Sequence, residues 1–191
     1  MRTAYVLGGA NCVWNDLRAC LGDEQMPDGM SLGIRPLHVD EAYVAVNDVG
    51  VKLPYALEAW VSYHGHFLAK VLRRQRQTNG YSKAVHYFAP RGDGPSWFDP
   101  LDNAYFPGQI HGGSSGLLAV KVSLTDLLFD RVILCGIPMT HTPHFHKSED
   151  DDLAGWKDAE SYRQGWLEAL PHLRGRCFSM SGWTKELLGS P

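Results

Sequence analysis

Residues 112–116 read Gly-Gly-Ser-Ser-Gly, the apolar run 117–128 follows, and residues 131–136 read Arg-Val-Ile-Leu-Cys-Gly. The order predicts a loop of small residues, a helix, and a short buried strand that closes on glycine. A chain built this way has few folds open to it. The same loop exposes backbone N–H groups at a helix start, where the helix macrodipole adds about half a positive charge, so it suits an anion such as phosphate.

The rest of the chain repeats the alternation. Short apolar runs predict strands over 3–7, 42–46, 59–63, 84–88 and 176–180, besides the one ending at Gly136. Helices are expected over about 13–20, 65–77, 159–170 and 183–188, the first capped by Asn11 and the second burying Phe67, Leu68, Val71 and Leu72. Strands that alternate with helices predict an α/β, Rossmann-like fold with a mostly parallel sheet and helices on both faces. Long loops then lie over the ligand-binding rim, beyond the carboxyl ends of the strands. A length of 191 residues suits a single domain, 1–191, with a lid-like loop at about 137–158. Residues 22–38 read as a loop excursion and 89–112 as a long loop, the latter kept from disorder by Trp97, Phe98, Tyr105 and Phe106.

Charge and cysteine usage narrow the partners. A formal net charge of −3 gives no global pull toward nucleic acid. The basic run 70–76 reads as the solvated face of a helix. Cys12, Cys20, Cys135 and Cys177 form no CxxC pair; Cys135 and Cys177 read as buried thiols, in keeping with a reducing, cytoplasmic location. No stretch of about 18 apolar residues predicts a membrane span, and no secretory signal is expected.

Three further groups of residues carry chemistry. Gly8, Gly9, Ala10 and Asn11 lie between the first strand and first helix, where glycine admits either a ligand or a tight turn. Asn47 and Asp48 close the second strand and suit a ribose contact or an Asx turn, while His64 closes the third and suits a nucleotide contact or a helix cap. His141, His144 and His146 fall within six positions. Imidazoles there fit acid–base work, a metal site or plain surface, with prolines leaving their directions open. The acidic run 149–152 reads as solvated charge, with room for a hard cation. No Walker A loop, kinase loop or nucleophile elbow is present.

Taken together, Leu7-Gly8-Gly9-Ala10-Asn11, Val46-Asn47, Ser114-Ser115-Gly116 before an apolar helix, and Ile133-Leu134-Cys135-Gly136-Ile137-Pro138-Met139 form an order with a parallel. It resembles the bacterial family-42 sialyltransferases and the related motility-associated glycosyltransferase and hydroxymethylpterin pyrophosphokinase group. The resemblance covers most of the chain, including the closing Ser-Gly-Trp-Thr-Lys-Glu-Leu-Leu segment. It implies that Gly8, Gly9, Ala10 and Asn11 line nucleotide phosphates, that Asn47 and Asp48 meet the ribose or sugar, and that His64 touches the nucleotide. Ser114, Ser115 and Gly116 would hold phosphate and sugar. The chain departs from the pattern at Asn11-Cys12, where the family has Pro-Ser, and near Trp156-Lys157-Asp158, where the family has its catalytic histidine.

The expectation is a glycosyltransferase-like enzyme that binds a nucleotide-sugar donor, with His144 or His146, and next His141, as the base. No metal site and no required cofactor are expected, with Mg²⁺ left open, and a homo-oligomer is compatible with the sequence. Two alternatives stand beside it: a nucleotide-dependent pyrophosphokinase or phosphotransferase on the same scaffold, and a nucleotide-binding or sequestering protein without turnover.

Overall fold

The computed structural model describes residues 1–22, 37–146 and 158–191. Seven strands make one sheet: β1 (Thr3–Leu7), β2 (Glu41–Val46), β3 (Ala59–Val61), β4 (His86–Pro90), β5 (Asp99–Leu101), β6 (Arg131–Cys135) and β7 (Cys177–Ser179). Their order is β5-β4-β3-β2-β1-β6-β7, and every pairing is parallel. The fold is α/β, with an open sheet. Parallel strands covered on both faces bury every side chain, and all five residues of β1 are buried.

Alternation along the strands divides the core in two. Ala4, Val6, Val44, Val46, Val132 and Leu134 face one side, where α4 (Ser115–Lys121) brings Leu117, Leu118 and Val120, and α5 (Arg163–Leu173) brings Trp166 and Leu173. Tyr5, Leu7, Tyr43, Ala45, Trp60 and Ile133 face the other. There α1 (Val13–Leu21) supplies Val13, Leu17 and Leu21. The helical stretch made of α2 (Gly65–Phe67), a π-helical segment Leu68–Leu72 and α3 (Arg73–Thr78) supplies Leu68 and Leu72 to the same face. A short α6 (Gly182–Leu188) closes the chain on the α4–α5 side through Trp183, Leu187 and Leu188.

Four local expectations differ from what is observed. Residues 89–112 are not a pure loop: β4 runs to Pro90, and β5 adds an edge strand containing Pro100. An edge strand tolerates proline because one row of N–H groups needs no sheet partner, so the proline hides the strand from a sequence reading. Asn11 does not cap α1; the residue before the helix is Cys12, and no side chain caps it. Phe67 is exposed, because the π-helical turn shifts the buried stripe to Leu68 and Leu72. The basic run 70–76 is not wholly solvated either. Arg76 is only 1% exposed.

Arg76 acts as an internal clamp. Its guanidinium donates to the carbonyls of Gly50 and Leu53 at 2.6 Å each, Ser82 at 2.6 Å and Tyr55 at 2.7 Å. It ties the irregular β2–β3 connection to the helix beneath it, and five fixed donors match what several inward-turned carbonyls need. Burial lowers its pKa, and the neighbouring Tyr87 and Tyr81 oppose that shift. Arg76→Met should lower the unfolding free energy in urea by about 3 kcal/mol or more, since buried carbonyls lose their donors. Arg76→Lys should recover only part of that loss, because an ammonium has three donors and no fork.

Candidate functional site

The chain leaves β1 toward β2 on one side and returns through β6 on the other, so the strand order switches direction at the β1–β6 pair, and a crevice lies beyond the carboxyl ends of these strands. A cavity of about 450 Å³ occupies it. Gly8, Gly9 and Ala10 line it after β1, Asn47 and Asp48 after β2, Tyr63 and His64 after β3, and Gly136 to Thr140 after β6. The 112–116 loop forms another wall.

Each wall is shaped by a specific constraint. The end of β1 presses so closely on the end of β6 that a Cβ at Gly8 would lie 2.4 Å from Ile137 Cγ1 and 2.5 Å from the Gly136 carbonyl oxygen. Gly136 itself has φ +69°. Its N–H donates at 2.8 Å to the buried carboxylate of Asp16, which also accepts from the Ser181 hydroxyl at 2.7 Å. Two non-glycine residues of the cavity, Asn47 and Met139, sit at φ +51°, and such strain concentrates at functional sites. Asn47 is held there: its side-chain oxygen accepts from the Ser62 hydroxyl at 2.7 Å, and its carbonyl accepts from Trp60 Nε1 at 2.5 Å.

The 112–116 loop meets the start of α4. Ser114 is the cap, with its hydroxyl accepting from the Leu117 N–H at 3.4 Å. The same hydroxyl donates to Met139 Sδ at 3.7 Å, which ties the helix start to the loop after β6. Ser115 Oγ accepts from the Tyr63 N–H at 3.3 Å. The first-turn N–H groups at Ser115 and Gly116 have no intrahelical acceptor and lie on the cavity wall. Behind the loop, Gly165 of α5 is pressed against the backbone, with the carbonyl oxygens of His111 and Gly112 both 2.8 Å from where its Cβ would be. Glu168 accepts from the Ile110 and His111 N–H groups at 2.8 Å each, and its other oxygen lies 2.5 Å from His111 Nδ1.

The histidine loop is joined to the glycine loop of β1 by backbone pairing. Ala10 and His144 form an antiparallel bridge, the Asn11 N–H donates to the Pro143 carbonyl at 2.9 Å, and the Phe145 N–H donates to the Gly9 carbonyl at 2.9 Å. His144 lines the cavity, and His146 does not line it but has Nδ1 3.3 Å from Asp48 Oδ2. His141 is exposed and outside the cavity lining, and Asn11, half-buried, does not line the cavity either. Of the residues singled out from the sequence, Gly8, Gly9, Ala10, Asn47, Asp48, His64, Ser114, Ser115, Gly116 and His144 thus converge on one cavity. The acidic run 149–152, Trp156 and most of the 22–38 excursion lie outside the described residues.

Sequence reasoning missed Tyr63, Tyr105 and Tyr162, which also line the cavity. Burial, with Tyr105 and Tyr162 alongside, pushes the Tyr63 phenol well up, so it stays a hydrogen-bond donor. The signal for them was faint, since a tyrosine in a half-buried loop looks like core. Cysteine chemistry is absent from these walls. Burial, reinforced by Asp16, pushes the Cys12 thiol up to about 11, and burial pushes Cys177 well up.

No protein-family model and no curated protein matches the chain. Solved structures similar to it include the sialyltransferase CstII from Campylobacter jejuni in complex with a substrate analogue, cytidine-5'-monophosphate. That likeness has 12% identity and a TM-score of 0.54, covering 100% of this chain and 85% of that one. A Tyr-to-Phe variant of the sialyltransferase Cst-II in complex with CMP is also similar, at 10% identity and a TM-score of 0.55, covering 100% of this chain and 86% of that one. The fold is sialyltransferase-like. Among the described residues, no helix is long and apolar enough to cross a membrane.

Two expectations follow for the residues around this cavity. Gly8→Ala should destabilise the protein by about 1–3 kcal/mol, because the added methyl meets backbone that cannot turn aside; the shift in urea midpoint measures it. The contacts to Glu168 are the second. The His111 N–H, then the Ile110 N–H and the His111 ring, lower its pKa from 4.5 to about 2. A depressed carboxylate stabilises the fold above its ordinary pKa and loses that effect as pH falls toward the folded value. The stability difference between wild type and Glu168→Gln should therefore be full at pH above about 4.5 and vanish as pH approaches 2, read from urea midpoints across that range.

Proposed function

We propose that the protein is a glycosyltransferase-like enzyme that binds a nucleotide-sugar donor in the β1–β6 cavity and transfers the sugar to an acceptor hydroxyl. One observation carries the reading: two small-residue loops and a helix start converge on the switch point of a sialyltransferase-like fold. CMP, bound in both similar structures, is the first nucleotide to test.

In this reading the donor phosphate lies against the Ser115 and Gly116 N–H groups, with Gly8, Gly9 and Ala10 allowing close approach from the other side. Asn47, held by Ser62 and Trp60, and His64 contact the nucleoside. The bond between the anomeric carbon and the phosphate oxygen breaks, and its electron pair leaves with the nucleotide. The acceptor oxygen bonds to the anomeric carbon, and its proton passes to the corner formed by Asp48, His144 and His146. Preorganised donors on the leaving phosphate supply the largest share of the rate, as such dipoles need no reorganisation during reaction. The Tyr63 phenol, kept protonated, adds a donor to the same wall.

A nucleotide present at 100 times its dissociation constant raises stability by about 2.7 kcal/mol, which thermal denaturation resolves. CMP or a CMP-sugar should raise the melting temperature of the wild type. Ser115→Phe, which fills the wall beside Tyr63, should abolish calorimetric binding while leaving the circular dichroism spectrum unchanged. Unaltered binding by that folded variant would sink the placement of the donor.

A further inference from the structure

Asp48, His144 and His146 each offer one ligand atom, and these atoms lie within 4.8 Å of one another. We infer that this corner of the cavity binds a divalent first-row transition metal of the Zn²⁺ class, with an open coordination position toward the cavity. The sequence reading expected no metal among the site residues.

Three features build the site. The first is the local conformation of the histidine loop. Backbone pairing pins Pro143 and His144 beside residues 9–11, and the turn at residues 145–146 that follows sets the Phe145 ring and brings the His146 imidazole back beside His144. Phe145 accordingly packs on Trp14, with ring centroids 5.9 Å apart, and the two imidazoles lie together at 5.5 Å. The second is the third ligand, delivered by the turn after β2 on the neighbouring strand, at 3.3 Å from His146 Nδ1. The third is space: a Cβ at Gly9 would sit 3.0 Å from His144 Nδ1 and 3.3 Å from Asp48 Oδ1, so a side chain there would crowd both ligands, and glycine leaves them room.

A plain His146–Asp48 ion pair explains part of this arrangement but not His144. Its Nδ1 is buried with no hydrogen-bond partner among the described residues, and a buried polar atom left unpaired is costly. A ligand that takes both imidazoles and the carboxylate removes that cost. The donor set decides the class. Two imidazole nitrogens and one carboxylate suit Zn²⁺, Co²⁺ or Fe²⁺, whereas Mg²⁺ and Ca²⁺ favour all-oxygen shells. Three protein ligands leave a position for water or substrate. Asp48 and His144 lie on the cavity wall, so that position opens toward a bound ligand. Metal binding rests on the three side chains alone. A role for the metal in acidifying the acceptor hydroxyl, whose proton would then pass to the Asp48 oxygen that does not ligate, rests in addition on the proposed function.

The test uses the full chain, stripped with chelator. Zn²⁺ titration by calorimetry should give one equivalent bound, and Co²⁺ should give a visible d–d band. Asp48→Asn and His146→Gln, checked for unchanged urea midpoints, should each weaken Zn²⁺ at least about tenfold and bleach the Co²⁺ band. His141→Gln, altered in the same loop but outside the cluster, should bind as the wild type. The inference is overturned if no Zn²⁺ binds, if both cluster variants bind it unchanged, if His141→Gln loses it equally, or if Mg²⁺ binds in its place. CMP titration of the chelator-treated protein separates the two ideas. CMP binding without Zn²⁺ binding overturns the metal site alone, and Zn²⁺ binding without binding of any nucleotide overturns the proposed donor pocket alone.

Discussion

Neither Gly8 nor Gly136 has room for a Cβ, and the rest of the site depends on that squeeze. A methyl on Gly136 would meet Val13 Cβ at 2.5 Å and the Gly8 carbonyl at 2.9 Å. The two strand ends approach because β1 and β6 pair in parallel up to Leu7 and Cys135, and the Gly8 N–H then continues onto the Cys135 carbonyl at 2.8 Å. Beyond this contact the two loops stay joined, with the Ala10 N–H on the Gly136 carbonyl at 3.2 Å and Ala10 bridged to His144, and the cavity lies beside the paired stretch. Asp16 fixes the start of the β6 loop by holding the Gly136 N–H and the Ser181 hydroxyl together, which ties α1, that loop and the start of α6 to one carboxylate. Floor and walls of the cavity are thus set by backbone geometry before any ligand-facing side chain is considered.

The electrostatics of the cavity are uneven. On the α4 side, backbone N–H groups and the helix dipole favour an anion. On the opposite side stands Asp48, a carboxylate that would repel one. His146 sits against it, and His144 is close by with an unpaired nitrogen, so that corner is arranged to gather positive charge. A phosphate-bearing ligand needs that compensation, whether it comes from a proton or from a metal ion. The anchoring of the 112–116 loop by Glu168 and Gly165 has a related logic: the anion-binding surface is made of backbone, and backbone keeps its aim only when something rigid stands behind it.

Much of the architecture was legible in the residues. Strands buried on both faces leave uninterrupted apolar runs such as Thr3–Leu7, and glycines mark their ends. The loops that line the cavity follow those ends, which is why Gly8, Asn47, His64 and Ser115 were recognisable one by one. Other features had no local signature. Pro100 hid β5, because an edge strand breaks the rule by which strands are recognised. Arg76 sits in a basic run that looks solvated, and its burial comes from carbonyls 6 to 26 residues away. The tyrosines of the cavity arrive from two loops and from the 3-10 turn before α5.

The sequence by itself determined the class of fold and the identity of the loops at its ligand-binding rim, because hydrophobic period and glycine punctuation are local properties of the chain. It left the directions of His141, His144 and His146 open. Only the tertiary structure decided them, through main-chain hydrogen bonds from Asn11 and Phe145 that pin the loop beside residues 9–11 and a turn at 145–146 that brings His146 back beside His144, while His141 stays in solvent. Those bonds join residues more than 130 positions apart, and Asp48 reaches the same point from a different strand. Side-chain convergence of that kind depends on how the sheet orders its strands, which no local run of residues encodes.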